Sequence, residues 1–175
     1  AGRAAARGTV GEKRARVPRQ RQGVRKRHRP VSQRAEIRNR HSFLNAFSSS
    51  GLNVIAEIKR RSLAEGDLSP HADPVEVARQ YLANGATALS VLTEVDYFHG
   101  SLEFLSQIRD HFAESLLLMK DFIVDEYQLF DGRLHGADAA LLIASLLDEA
   151  DLPRLSAFPR TFGILPPVGV PAGWR

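Results

Sequence analysis

A chain of 175 residues, 43% hydrophobic and 25% charged, has the size and composition of about one globular domain. It contains no cysteine, which excludes disulfides, thiolate metal sites and thiol nucleophiles and is compatible with a reducing cytoplasm. Its longest apolar runs are too short to span a bilayer and no apolar signal segment opens it, so a soluble cytoplasmic protein without a membrane partner is expected.

The net charge of +4 conceals a division. Residues 1–40 hold 14 Lys and Arg against Glu12 and Glu36, a balance of +12, whereas residues 41–175 carry −8. Residues 1–41 contain few large apolar residues (Val10, Val17, Val24, Val31 and Ile37) and no sustained period. They read as a basic, disordered segment. The run Arg25-Lys26-Arg27-His28-Arg29 would attract nucleic-acid phosphates. With no aromatic interleaved for base stacking, nucleic acid is the weaker reading beside a solvated tail.

From Asn53 onward, strand-like apolar runs alternate with amphipathic helical segments, the pattern of βα repeats in a parallel sheet. Residues 54–59 form the first strand, whose period of two sets Glu57 and Lys59 on one face and Ile58 on the other. Asp73, Pro74 and Glu76 open the first helix, Val77, Ala78, Tyr81 and Leu82 share one face of it, and Gly85 ends it. Residues 86–93 are a second strand, continuously apolar as a strand covered on both faces should be. Ser101 caps a helix that buries Leu102, Leu105, Ile108 and Phe112. Residues 116–120 are the third strand. Asp125 and Gln128 make a capping box, Phe130 and Leu134 supply the buried stripe of that helix, and Gly136 closes it. Residues 137–143 are the fourth strand.

A fourth helix is expected from Asp148 or Asp151 through Leu152, Leu155 and Phe158, ended or kinked at Pro159, because an interior proline costs about 3 kcal/mol. Residues 164–175, with Pro166, Pro167, Pro171, Gly169 and Gly173, read as an irregular tail with no fifth unit. The expected domain, residues 42–163, is an α/β fold of four βα units from a parallel barrel. A closed eight-unit barrel typically takes about 250 residues.

In such barrels the chemistry sits at the C-terminal ends of the strands, here Glu57, Lys59, Ser62, Glu94, Lys120 and Asp121. A lysine at a strand end can donate a proton, the more readily when desolvated or set beside another lysine, or it can hold an anionic substrate. Glu57 would keep Lys59 oriented. The same residues also fit a structural ion pair at a barrel rim and a solvated strand end. The six histidines (His28, His41, His71, His99, His111 and His135) show no metal-ligand spacing and read as surface or loop residues. No phosphate-cradling glycine loop or nucleophile elbow occurs, and no metal or cofactor is expected.

Three stretches occur together and in order: Ile55-Ala56-Glu57-Ile58-Lys59-Arg60-Arg61-Ser62; Ser90-Val91-Leu92-Thr93-Glu94 with Tyr97-Phe98 and Gly100-Ser101-Leu102; and Lys120-Asp121-Phe122-Ile123-Val124-Asp125 with Tyr127-Gln128. Gly136-Ala137-Asp138 and Leu141-Leu142-Ile143 extend them. The combination resembles the indole-3-glycerol phosphate synthases over about residues 42–163. The resemblance implies a (β/α)8 TIM barrel, of which this chain would hold about the first four units, and a cofactor-free carboxy-lyase of tryptophan biosynthesis. Its small-molecule substrate would be 1-(2-carboxyphenylamino)-1-deoxyribulose 5-phosphate, closed, decarboxylated and dehydrated to indole-3-glycerol phosphate.

By the same resemblance Lys120 protonates the ketose carbonyl during ring closure. Glu57 and Lys59 form the acid/base set for dehydration, with Lys59 also able to meet an anionic group. Ser62 matches an active-site serine, and Phe98, Phe122 and Leu141 match the lining of the aromatic-ring pocket, although these three fit plain core equally well. Two departures stand out. After the serine the family usually continues Pro-Ser-Lys-Gly, whereas this chain has Leu63-Ala64-Glu65-Gly66, and Gly169 stands where the family carries a catalytic glutamate. The expectation is an incomplete or inactive copy of the enzyme. A non-catalytic half-barrel that self-associates through its open strand edges is the alternative from another class.

Overall fold

The structure, a computed structural model, describes residues 8, 10–15, 41–48, 50–157, 164–165 and 167–169. Helical residues 10–15 (α1) and helix α2 (His41–Ala46) precede strand β1 (Ile55–Ile58). A short hairpin of β2 (Arg61–Ser62) and β3 (Gly66–Asp67) leads to α3 (Pro74–Ala83) and β4 (Ala88–Leu92). Then come the one-turn helix α4 (Val95–Phe98), α5 (Leu102–His111), β5 (Leu117–Lys120) and α6 (Glu126–Leu134). The chain continues through β6 (Ala139–Ala140), β7 (Leu142–Ile143), α7 (Asp151–Ala157) and β8 (Val168–Gly169).

Strands β1, β4, β5 and β6 pair in that order and all are parallel. Parallel pairing needs a crossover between successive strands, and α3, α5 and α6 supply them. The helices begin where the sequence offers caps. Asp73 accepts from Val75 N at 2.9 Å, Ser101 Oγ accepts from Glu103 N at 3.2 Å, and Asp125 with Gln128 forms the full capping box. Each such cap is worth about 1 kcal/mol.

Period-two alternation then divides the side chains into two layers. Leu89, Val91, Leu117, Met119, Ala140 and Leu142 face the helices and pack with Ala78, Leu105, Ile108 and Leu129. Ala88, Leu118 and Ala139 face the other way, where Phe43 of α2 packs against them with Leu116, Leu141 and Leu165. Gly132 lets α6 approach the sheet closely, since a Cβ there would lie 2.3 Å from Met119 Sδ.

Three expectations need correction. Residues 10–15, expected to be disordered, are helical, and Val10 is only 7% exposed, in a cluster with Phe122, Val124 and Leu146. A composition rule averaged over forty residues misses one short segment that docks by a single apolar side chain and two cations. The rest of the basic segment, residues 16–40, lies outside the described residues. The stripe of α6 is rotated from the expected one: Leu129, Asp131 and Gly132 are buried while Phe130 and Leu134 are half-buried, because the close approach at Gly132 turns that side toward Met119.

The segment from 164, expected to be irregular, begins a fifth strand. Leu165 N donates to Asp138 O, Ala140 N to Leu165 O and Leu142 N to Pro167 O, each at 2.9 Å, and β8 pairs in parallel with β7. Prolines are compatible with this edge because Pro167 serves as an acceptor and needs no donor. Residues 170–175 lie outside the described residues. Finally, α7 is seen as Asp151–Ala157, with Phe158 and Pro159 outside the described residues. Among the described residues no helix is long and apolar enough to cross a membrane.

Leu105 has no exposed surface and joins α5 to the sheet. Leu105→Ala should therefore lower stability by about 2–5 kcal/mol, measured as a fall in the urea midpoint with an unchanged slope.

Candidate active site

Register places the strand ends. Glu57 pairs with Ser90, Ser90 with Leu118 and Leu118 with Ala139, so Glu57 shares the inner face with side chains known to pack under Phe43. Lys120 follows Leu118 by two positions on that face. The intervening strand offers only the small Ser90 at the level of Glu57, and Lys120 reaches across it. Its ammonium donates to Glu57 Oε2, while Lys59 Nζ stands 3.2 Å from Glu57 Oε1. The three side chains are about one-third exposed, at 30% for Glu57, 27% for Lys59 and 36% for Lys120.

Burial pushes the Glu57 carboxyl upward. Hydrogen bonding and charge attraction from Lys120, then from Lys59, outweigh burial and hold its pKa below the ordinary value. The site therefore keeps an ionised carboxylate between two ammonium groups. That arrangement can pass a proton and can release either lysine to meet an anion.

The aromatic candidates separate. Phe98 and Phe122 lie together, ring centroids 6.1 Å apart and tilted by 49°, in the cluster that contains Val10, Val124 and Leu146. Leu141 instead packs with Phe43, Ala88, Leu118 and Ala139 on the inner face. Ser62 sits in the β2–β3 hairpin, its hydroxyl accepting from Ala64 N at 3.3 Å, and Leu63-Ala64-Glu65-Gly66 forms the connecting turn with Gly66 at φ +74°. Nothing in the hydrogen-bond network joins Ser62 to the Glu57 cluster among the described residues.

Glu94 and Asp121 take other parts. Glu94 is 1% exposed and caps α4, accepting from Tyr97 N at 2.7 Å and Asp96 N at 3.3 Å. Gly100 packs tightly beneath it; a Cβ there would fall 2.4 Å from Leu92 O, and its N–H donates to Glu94 O at 2.7 Å. Asp121 accepts from Thr93 Oγ1 and from Phe122 N, both at 2.7 Å. Lys13 of α1 donates to Asp121 Oδ1 and stands 3.8 Å from Glu94 Oε1. Arg14 meets Asp151 at 2.5 Å and Asp148 at 3.1 Å.

Lys13, Arg14 and Val10 were not legible as site neighbours. Their only signal is an apolar residue followed by two cations one helical turn later. Among the histidines, His71, His99 and His111 are exposed as expected. His135 is 21% exposed, and its bond to Asp131, opposed by burial, raises its pKa. Among the described residues no group of three or more His, Asp or Glu is placed to hold a metal ion.

Because the folded Glu57 pKa is depressed, its ionised form adds stability above its ordinary value of 4.5, and that contribution is lost as pH falls through the lowered value. The stability gap between the native chain and Glu57→Gln should accordingly be widest near neutrality and shrink as pH falls below the ordinary carboxylate value of 4.5. Urea titrations at a series of pH values would measure it, and a constant gap would contradict the charge assignment.

Comparison with known proteins identifies the family. The sequence model of the family described as "Indole-3-glycerol phosphate synthase" matches residues 7–172, which extends the family likeness beyond residues 42–163 at both ends. Relatives named indole-3-glycerol phosphate synthase include one from Salinibacter ruber, 45% identical over 123 residues, covering 70% of this chain and 46% of the relative. Another, from Nocardioides sp., is 48% identical over 118 residues, covering 67% and 45%. A third, from Paenarthrobacter aurescens, is 50% identical over 113 residues, covering 65% and 41%. The matches to these relatives span less than half of each relative's length. With four parallel strands of a TIM barrel in place and a family match across nearly all its residues, the chain belongs to the indole-3-glycerol phosphate synthase family.

Proposed function

We propose that the Lys120–Glu57–Lys59 cluster is the acid and anion-binding part of an indole-3-glycerol phosphate synthase site. The observation that carries this reading is one ionised carboxylate shared by two lysines at the ends of β1 and β5. Lys120 would donate the proton to the ketose carbonyl as the ring closes. Glu57 and Lys59 would move protons in the dehydration, and Lys59 would also meet an anionic group of the substrate. Phe98, Phe122 and Leu141 would take up the aromatic ring, and Ser62 would contact the substrate once the hairpin turns toward it. Such chemistry on a phosphorylated metabolite belongs in the cytoplasm.

Gly169 argues that proton removal is impaired. It pairs with Ile143 on the fifth strand, where the family resemblance calls for a glutamate, and glycine has no side-chain group to accept a proton. The expected behaviour is binding of 1-(2-carboxyphenylamino)-1-deoxyribulose 5-phosphate without turnover. Equilibrium dialysis should show binding weakened about tenfold or more in Lys59→Met and Lys120→Met, because a charged hydrogen bond is worth about 1.5–3 kcal/mol. Clear formation of indole-3-glycerol phosphate by the purified chain would sink the inactive reading, and binding indifferent to both lysines would sink the site.

One observation favours self-association as a second activity. Among the described residues β1 pairs only with β4, and Leu52, Val54 and Ile55 beside its open edge are 91%, 41% and 44% exposed. Unpaired strand edges with apolar side chains template pairing with another chain. Light scattering after size exclusion should give a mass above that of one chain, and Val54→Lys should return the monomer.

A further inference from the structure

The proposed function leaves two carboxylates beside Lys120 unused. Glu94 lies two residues beyond the end of β4 and is 1% exposed, and Asp121 directly follows Lys120, the last residue of β5. Desolvated carboxylates are costly unless a cation and hydrogen bonds compensate them. The hydrogen bonds come from Tyr97 N and Asp96 N to Glu94, and from Thr93 Oγ1 and Phe122 N to Asp121. The cation is Lys13, itself 16% exposed, which donates to Asp121 and lies 3.8 Å from Glu94. One ammonium group from α1 thus ties together the ends of two adjacent strands. Val10, about one helical turn earlier, is buried in the cluster of Phe98 and Phe122, so the helix is held by an apolar anchor as well as by charge.

We propose that Lys13 is a positioning residue for Lys120. By fixing Asp121 it holds the backbone from which the Lys120 side chain reaches Glu57. By balancing Asp121 and Glu94 it removes two negative charges that would draw the Lys120 ammonium away from the inner face. The inference rests on Lys120 as the reacting amine of the site, but it concerns the amine itself and is tested without substrate.

The chain has only four lysines, at positions 13, 26, 59 and 120, so acylation by a small amine reagent can be mapped to each by peptide mass spectrometry. The full chain, Lys13→Met and Lys13→Arg are labelled across a range of pH, with a free lysine derivative as the standard. In Lys13→Met the pH midpoint for Lys120 labelling should rise by about half a unit or more, since uncompensated carboxylates favour the protonated amine. Lys13→Arg should return it to the native position, with the free lysine derivative unchanged throughout.

A folded Lys13→Met with a native Lys120 profile overturns the proposal, and so does an equal shift of every lysine. If Lys13→Met does not fold, Asp121→Asn decides. It removes one carboxylate at constant size and should lower the Lys120 midpoint; coincidence with the native profile overturns the proposal. Failure of substrate binding with an intact response of Lys120 to Lys13 would reject the proposed function and leave this inference standing.

Discussion

Glu57, Ser90, Leu118 and Ala139 lie side by side across four parallel strands, and that register decides what can meet in this molecule. Slipping any strand by one residue would turn its side chains to the opposite face. Leu89, Val91, Leu117 and Met119 would leave the helix layer, and Lys120 would leave Glu57. The apolar layer and the charged cluster are therefore specified together. Large-scale burial on the helix side pins the register, and the inner face inherits a geometry that its own few charges are too weak to impose.

The docking of α1 also shows how the charge division of the chain is used. Residues 41–175 carry −8, and part of that excess is concentrated where Glu94, Asp121, Asp148 and Asp151 surround the strand ends. Lys13 and Arg14 bring compensating charge from the basic segment. Two cations that a composition argument assigns to solvent or to nucleic-acid phosphates are thus engaged with the domain's own carboxylates. Exposed pairs such as Arg14–Asp148 contribute little, whereas Lys13 meets groups that are almost fully desolvated and so matters far more. The helix has a structural reason to dock before any ligand is considered.

What was legible in the sequence follows from how local each signal is. Asp73, Ser101 and Asp125 announce their helices because a cap bonds within three residues of itself. Strands β4 and β5 are legible because both of their faces are apolar. The pairing of Glu57 with Lys59 needs only the period of two, but its bond to Lys120 needs the register across an intervening strand, which neither spacing nor the motif resemblance supplied. Val10 and Lys13 act across about a hundred residues, and nothing near them in the chain reports it. The fifth strand was hidden by Pro166 and Pro167, which look like breakers until Pro167 is seen to contribute only its carbonyl.

Gly169 bears on the packing of the fifth strand as well as on the family's chemistry. Elsewhere on the inner face Glu57, Lys59 and Lys120 together sum to one positive charge. These side chains are about one-third exposed, so solvent screens that charge and its pull on an anion is modest and salt-sensitive. A side chain at position 169 would press on the tip of Leu141, whose Cδ1 lies 3.1 Å from where its Cβ would fall and would have to give slightly. Glycine leaves Leu141 packed with Phe43, Ala88, Leu118 and Ala139, so the position where the resemblance calls for a glutamate is one whose neighbours are already in place without a side chain.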